Sequence, residues 1–188
     1  MIHHVPPSEK IISMSKTTLK KAIAQLTEEQ LRGLILEVYD KSKESREWLN
    51  FFAEPDIDEK LEDYKAEAYK EVMRYKRHLP MPRLAKLRKL IKKFSLFEPG
   101  DELVIEFQLY VFDCLCRVVA VSGNTLACLN VTNNILTDIL KYIEKRKLVD
   151  EYLPALEKSL GRIPRGYSGG TLRNLLDGFL DNLAENGD

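Results

Sequence analysis

The stretch Leu103–Val121, LVIEFQLYVFDCLCRVVAV, decides how this chain is read. Nineteen residues of this apolarity are long enough to cross a bilayer as a helix. Three positions argue against it: Glu106, Asp113 and Arg117 stand inside the run. A charge at the centre of a membrane helix costs about 2.5–3.5 kcal/mol on insertion scales. The stretch therefore reads as the buried helix of a soluble fold. At 100° per residue, Glu102, Glu106, Tyr110, Asp113 and Arg117 fall on one narrow arc, the wet strip of a helix packed on its other sides. Asp113 and Arg117 are four apart and can pair.

Helical periodicity extends in both directions. Asp101 opens this helix and Gly123 stops it. Asn124 opens the next, to about Lys147, with Leu129, Val131, Ile135, Leu136, Ile139, Leu140 and Ile143 along its apolar side. A further helix covers about 150–160, and a last one is predicted over Thr171–Leu183 after the loop GRIPRGYSGG. Upstream, Ser15 or Thr17 opens a helix with Leu19, Ala22, Ile23 and Leu26 on one side. The TEEQ box at Thr27–Gln30 opens a second. Its stripe runs Leu31, Leu34, Ile35, Val38, then Ser45, Trp48, Leu49 and Phe52, ending at Pro55. Asp56 or Asp58 opens a third, to about Arg77. HLPMP is read as a loop, and Pro82 suits the first turn of a fourth helix ending before Pro99-Gly100. No stretch shows strand alternation with turn chemistry.

The expectation is an all-α protein of about eight helices, arranged as antiparallel pairs in an irregular bundle or a short superhelical array. Residues 1–13 are expected to be a flexible N-terminal segment, with Met14 an alternative start, and 14–188 one helical domain. The chain has 188 residues, 44% of them hydrophobic, enough for a substantial core. Three cysteines, Cys114, Cys116 and Cys128, sit in apolar runs without metal-ligand spacing. They read as buried thiols in a reducing cytoplasm. The N-terminus has no signal-peptide pattern. Nothing calls for a cofactor or a metal.

Net charge is zero, but unevenly spread. Val72–Phe97 contains no Asp or Glu and nine Lys or Arg, leaving 20 basic against 29 acidic residues elsewhere. On the fourth helix Leu84, Leu87, Leu90, Ile91, Phe94 and Phe97 form one arc, opposite Lys86, Arg88, Lys89, Lys92 and Lys93. Lys76, Arg77 and Arg83 lie in the adjoining loop. One reading is a solvated face balancing the acidic third helix (Asp56, Asp58, Glu59, Glu62, Asp63, Glu67, Glu71). The functional reading is a surface of Lys76, Arg77, Arg83, Lys86, Arg88, Lys89, Lys92 and Lys93 that meets an acidic protein. Sequence-independent nucleic-acid binding by the same patch is the alternative, and an amphipathic helix lying on a membrane surface is a third.

GYSGG at Gly166–Gly170 matches the G-x-S-x-G nucleophile elbow. That elbow requires a strand before the serine and a histidine after it. Here a helix precedes, and His3, His4 and His78 all lie upstream. A milder use of the loop is anion binding by Arg162, Arg165, Ser168, Gly169, Gly170 and Arg173 at a helix start. The expected role is therefore a non-catalytic interaction module.

The stretch MSKTTLKKAIAQLTEEQLRGLILEVYDKSKESREWLNFFAEPD (Met14–Asp56) resembles the opening of a family of uncharacterised bacterial proteins known only as a domain of unknown function. HLPMPRLAKLRKLIKKF and KLVDEYLPALEKSL are similar to later parts of it. The resemblance spans about 14–184. It implies an all-helical bacterial cytoplasmic protein and no particular activity.

Overall fold

The computed structural model describes residues 15–122 and 126–186. The predicted N-terminal segment 1–13, the Gly123 stop and the Asn124 start lie outside them. The described residues form nine helices and one two-stranded hairpin, so the all-α expectation holds. Packing divides the chain at Pro55.

The first unit contains α1 (Lys16–Ile23), α2 (Glu28–Lys41) and α3 (Lys43–Ala53). Its helix starts are locally encoded. Ser15 Oγ accepts the Thr18 N–H, and Thr27 and Gln30 form the reciprocal capping box. The single helix predicted from Thr27 to Phe52 is broken at Ser42. Ser42 is extended (φ −130°), and its hydroxyl accepts the Ser45 N–H to open α3. Arg46 then donates to the carbonyls of Tyr39 and Asp40 and lies over the Tyr39 ring, satisfying the end of α2. A serine that offers the backbone a competing bond, followed by an arginine in reach of the orphaned carbonyls, ends the helix without Pro or Gly.

The second unit begins at Asp56, whose carboxylate accepts the Glu59 N–H to open α4 (Ile57–Val72). β1 (Tyr75–Lys76) and β2 (Leu79–Pro80) pair antiparallel. Then come α5 (Leu84–Ser95), α6 (Asp101–Ser122), α7 (Leu126–Arg146), α8 (Val149–Leu160) and α9 (Tyr167–Asn186). α6 is the centre of this unit, touched by α4, α5, α7 and α8. Val104, Ile105, Phe107, Val111, Phe112, Leu115 and Cys116 are buried, while Glu102, Glu106 and Arg117 stay exposed. The opening stretch is thus a core helix with one wet strip. At the other side of the core, Phe94 meets Phe107 edge-on at 5.4 Å, and Tyr64 lies 5.7–6.2 Å from Phe94, Phe97 and Phe107.

The polar strip of α6 ties its neighbours to it. Lys65 of α4 reaches Glu106 (2.7 Å) and Glu62 (2.8 Å). Asp113 accepts from Arg117 (2.8 Å), from Ser159 of α8 (3.2 Å) and from Arg162 beyond it (2.6 Å). Burial pushes the Asp113 carboxyl up, but the two arginines outweigh it and hold it below the usual carboxylate range.

Truncating the fully buried ring that α6 gives to the aromatic cluster, Phe107→Ala, is expected to cost about 3–5 kcal/mol in chemical denaturation. Val121→Ala, on the same helix but 89% exposed, is expected to stay within about 0.5 kcal/mol. Similar losses from the two changes would contradict the burial of α6.

Candidate interaction surface

α4 was expected to run to Arg77, with a loop after it. The helix instead stops at Val72, and the chain forms the hairpin, with Tyr75 opposite Pro80 and Lys76 opposite Leu79. Arg77 and His78 make the two-residue turn in the left-handed region, at φ 52° and 66°. This is the type I′ arrangement, whose twist suits a hairpin. It usually takes Asn-Gly, and for residues with a Cβ the conformation costs roughly 1–2 kcal/mol each.

What holds the strained turn is a clamp at its base. Glu71, in the last turn of α4, is only 5% exposed. It accepts from the Arg83 backbone N–H (2.9 Å), Nε (2.9 Å) and Nη2 (2.5 Å). Arg83 is the N-cap of α5 and has no side-chain cap bond of its own. Glu71 therefore caps α5 from another helix, where the dipole favours an anion. Burial pushes the Glu71 carboxyl up. The hydrogen bonds and charge of Arg83, with the Arg74 charge, outweigh burial and leave it below its ordinary value. Pro82 was expected inside the first turn of α5; it is buried just ahead of Arg83, and α5 begins at Leu84.

The clamp and its neighbours sort the basic block into two classes. Arg83 is held by Glu71, Lys86 by Glu67 of α4 (2.6 Å), and Arg88 by both carboxylate oxygens of Asp138 on α7 (2.6 and 2.9 Å). Arg74 Nη1 donates across the hairpin to the Met81 carbonyl (2.8 Å). Lys93 is half-buried and also engaged. Lys76, Arg77, Lys89 and Lys92 are exposed and show no hydrogen bond or ion pair among the described residues. On the helical wheel Lys89 and Lys92 lie between Lys86, which leans to α4, and Arg88, which leans to α7, so they form the outward ridge of α5. Apolar side chains lie among these cations: Tyr75 is 54% exposed, Leu79 52% and Leu96 61%. Alternation along the strands puts Lys76 and Leu79 on one face of the hairpin. Beside Lys92 a cleft of about 170 Å³ opens between α5, α6 and α7, walled by Ile91, Ile135 and Ile139 and by Gln108, whose Oε1 is buried without a partner among the described residues.

The GYSGG group is built differently from its expected loop. α9 starts at Tyr167, four residues earlier than predicted, and Ser168 is buried in its first turn. A Cβ on Gly169 would lie 2.6 Å from the Pro164 carbonyl oxygen and 2.7 Å from Arg173 Nη1, so the glycine serves close packing of the chain on itself. Arg173 donates to the carbonyls of Leu160 and Ile163, capping the end of α8, and Arg162 is held by Asp113. Of the three arginines expected around an anion, Arg165 alone is exposed and shows no bond among the described residues. A Cβ on Gly170 would meet nothing within 4 Å. The sequence distinguishes these arginines from free ones only by their closeness to the end of α8. Among the described residues no group of His, Cys, Asp and Glu is placed to hold a metal ion, and no helix is long and apolar enough to cross a membrane. The three thiols are buried and free. Burial raises all of them, Cys128 to about 11.

The fold and this face define an all-helical protein carrying a mixed cationic and apolar surface. Residues 14–158 match a family of unknown function, DUF6155, and the chain belongs to it. The match contains the entire basic block and ends before Arg162. No curated protein and no solved structure matches the chain.

Glu71→Gln tests the clamp. The folded Glu71 carboxyl titrates below its ordinary value of 4.5. Its stabilisation is therefore present above pH 4.5 and lost as pH falls through the folded value. The variant is expected to be less stable than the parent by about 1–3 kcal/mol at neutral pH. That gap should narrow below pH 4.5, as the parent's own carboxyl protonates. A gap independent of pH in urea titrations would show that Glu71 acts only through packing.

Proposed function

We propose that the protein is a non-catalytic interaction module whose outward cations, Lys76, Arg77, Lys89 and Lys92, receive an acidic protein segment. The observation that carries this reading is the division within the basic block: four cations are tied to the fold by identified bonds, and these four stand exposed without such bonds. Arg83, Lys86 and Arg88 add little to a complex, because a carboxylate at short range offsets the charge of each, and Arg74 is held by the Met81 carbonyl. Unpaired cations raise the encounter rate with an acidic partner and fix its register.

The apolar side chains among the cations favour a protein over a phosphate backbone. Tyr75, Leu79 and Leu96, and the isoleucine-walled cleft by Lys92, offer area that an acidic segment with apolar side chains buries and a phosphate chain does not. The acidic remainder of the chain adds repulsion toward nucleic acid beyond the patch. Nucleic-acid binding by the same cations is the second reading, favoured by Tyr75 interleaved with Arg74 and Lys76. Buried free thiols suit a reducing cytoplasm, and the bacterial setting follows from the resemblance seen in the sequence.

The test is a paired change. Lys76→Gln, Arg77→Gln, Lys89→Gln and Lys92→Gln together are expected to leave folding unchanged and to abolish co-purification of a specific acidic protein from the source cell. The parent is expected to bind random duplex DNA no more tightly than the ~10⁻⁴–10⁻⁶ M typical of nonspecific contact at physiological salt. Tighter duplex binding by the parent, lost in the quadruple variant, would establish the nucleic-acid reading instead.

A further inference from the structure

The cleft between α5, α6 and α7 is built wholly from the second unit, and most polar groups in its wall are already engaged. Arg88 and Asp138 hold each other through two bonds. The Ser95 hydroxyl donates to the Ile91 carbonyl, and the Tyr142 hydroxyl donates to Asp101 at 2.8 Å. Two groups are left. Lys92 is exposed and has no ion pair among the described residues. Gln108 is only 5% exposed, and its side-chain amide has no hydrogen bond at either end among the described residues. A buried amide without a bond costs the fold more than an apolar side chain of the same shape. The rest of the wall is apolar, from Ile91, Ile135 and Ile139.

We propose that this cleft is the anchor pocket for the acidic segment, and that it takes one tyrosine side chain with its hydroxyl on the Gln108 amide. The proposal rests on the reading of the outward cations and names the side chain which that reading leaves open. Size limits the occupant to one ring. The cleft holds about 170 Å³. An apolar cavity of about 150 Å³ accepts benzene, whereas sites for whole small molecules run to roughly 300–1,000 Å³. Bonding then selects among the rings. A phenylalanine ring leaves the amide without a bond. An indole N–H only donates, so it serves the amide oxygen alone. A phenol hydroxyl both donates and accepts. The terminal torsion of a glutamine is broad and two-fold, so either end of the amide turns to the cleft, and the hydroxyl bonds whichever end it meets. Charge orders the rest of the segment. Asp138 in the wall disfavours a carboxylate inside the cleft. Lys92 beside it, and Lys89 on the same ridge of α5, favour carboxylates on either side of the tyrosine.

The test is calorimetric titration of the full chain, at low salt, with three end-blocked peptides: Glu-Glu-Tyr-Glu-Glu and its counterparts with Phe or Ala at the centre. Affinity is expected to fall in the order Tyr, Phe, Ala, with Tyr ahead of Phe by about 2- to 10-fold, the worth of one net hydrogen bond. Gln108→Met keeps the length of the side chain without its amide. It is expected to raise the melting temperature and to bring the Tyr peptide down to the level of the Phe peptide. Lys89→Gln with Lys92→Gln is expected to weaken all three peptides and keep their order. Equal affinities for the three peptides, or a Tyr preference that survives Gln108→Met, would overturn the anchor; the cationic reading then stands if the lysine variant still weakens binding. A Tyr preference whose strength the lysine variant does not touch would overturn the cationic reading and keep the anchor. No binding of any peptide would overturn both. p-Cresol covers the event that Gln108→Met misfolds. Added to the unaltered chain, it is expected to shift the NMR resonances of the Gln108 side-chain amide, and resonances that stay in place would rule the anchor out.

Discussion

A buried carboxylate must find its bonds inside the protein, and Glu71 finds all three of them on Arg83. That single residue pair fixes where α4 ends, closes the base of the hairpin and opens α5. The gain is not in the ion pair alone, since Arg83 remains half exposed and such pairs are weak in water. It lies in supplying an anion to a helix N-terminus that lacks its own cap, and in leaving a buried acceptor satisfied. The left-handed Arg77–His78 turn persists because the segments flanking it are pinned at Glu71, Arg74 and Met81.

The charge separation along the sequence is largely undone by folding. The acidic helix α4 lies against the basic helix α5, and Glu67 and Glu71 take up Lys86 and Arg83, while Asp138 of α7 takes up Arg88. The solvated-face reading of the block therefore describes its flanks. Its ridge and its hairpin turn are different. Lys89 and Lys92 make no ion pair with either neighbouring helix among the described residues, and Lys76 and Arg77 stand exposed on the hairpin. The functional proposal concerns only these four.

Much of the fold was legible because it rests on local rules. The three charges within Leu103–Val121 marked α6 as a core helix and not a membrane span, and the wheel of α5 separated its buried and wet arcs correctly. Capping residues placed the starts of α1, α2 and α4. What was not legible depends on partners distant in sequence. The hairpin has no Asn-Gly signal; it forms because Glu71 and Arg83, twelve residues apart, meet. Ser42 looks like any polar helix residue until Arg46 is seen satisfying the carbonyls behind it. Arg162 and Arg173 read as anion ligands because nothing local reveals that Asp113 and the end of α8 hold them. The wheel cannot show which of five lysines and arginines on one arc face an acidic neighbour.

The division of the cations is the centre of this account, and lysine acylation of the folded chain, read residue by residue by mass spectrometry, tests it most directly. Acylation needs an accessible, deprotonated amine. Burial alone would ease deprotonation of Lys65, but its carboxylate partners outweigh burial and raise it above the ordinary lysine value. The account predicts that Lys76, Lys89 and Lys92 label at the rate of an unfolded control, with Lys65 and Lys86 several-fold slower. Labelling of Lys86 as fast as Lys89, or protection of Lys89 and Lys92 in the isolated chain, would contradict it.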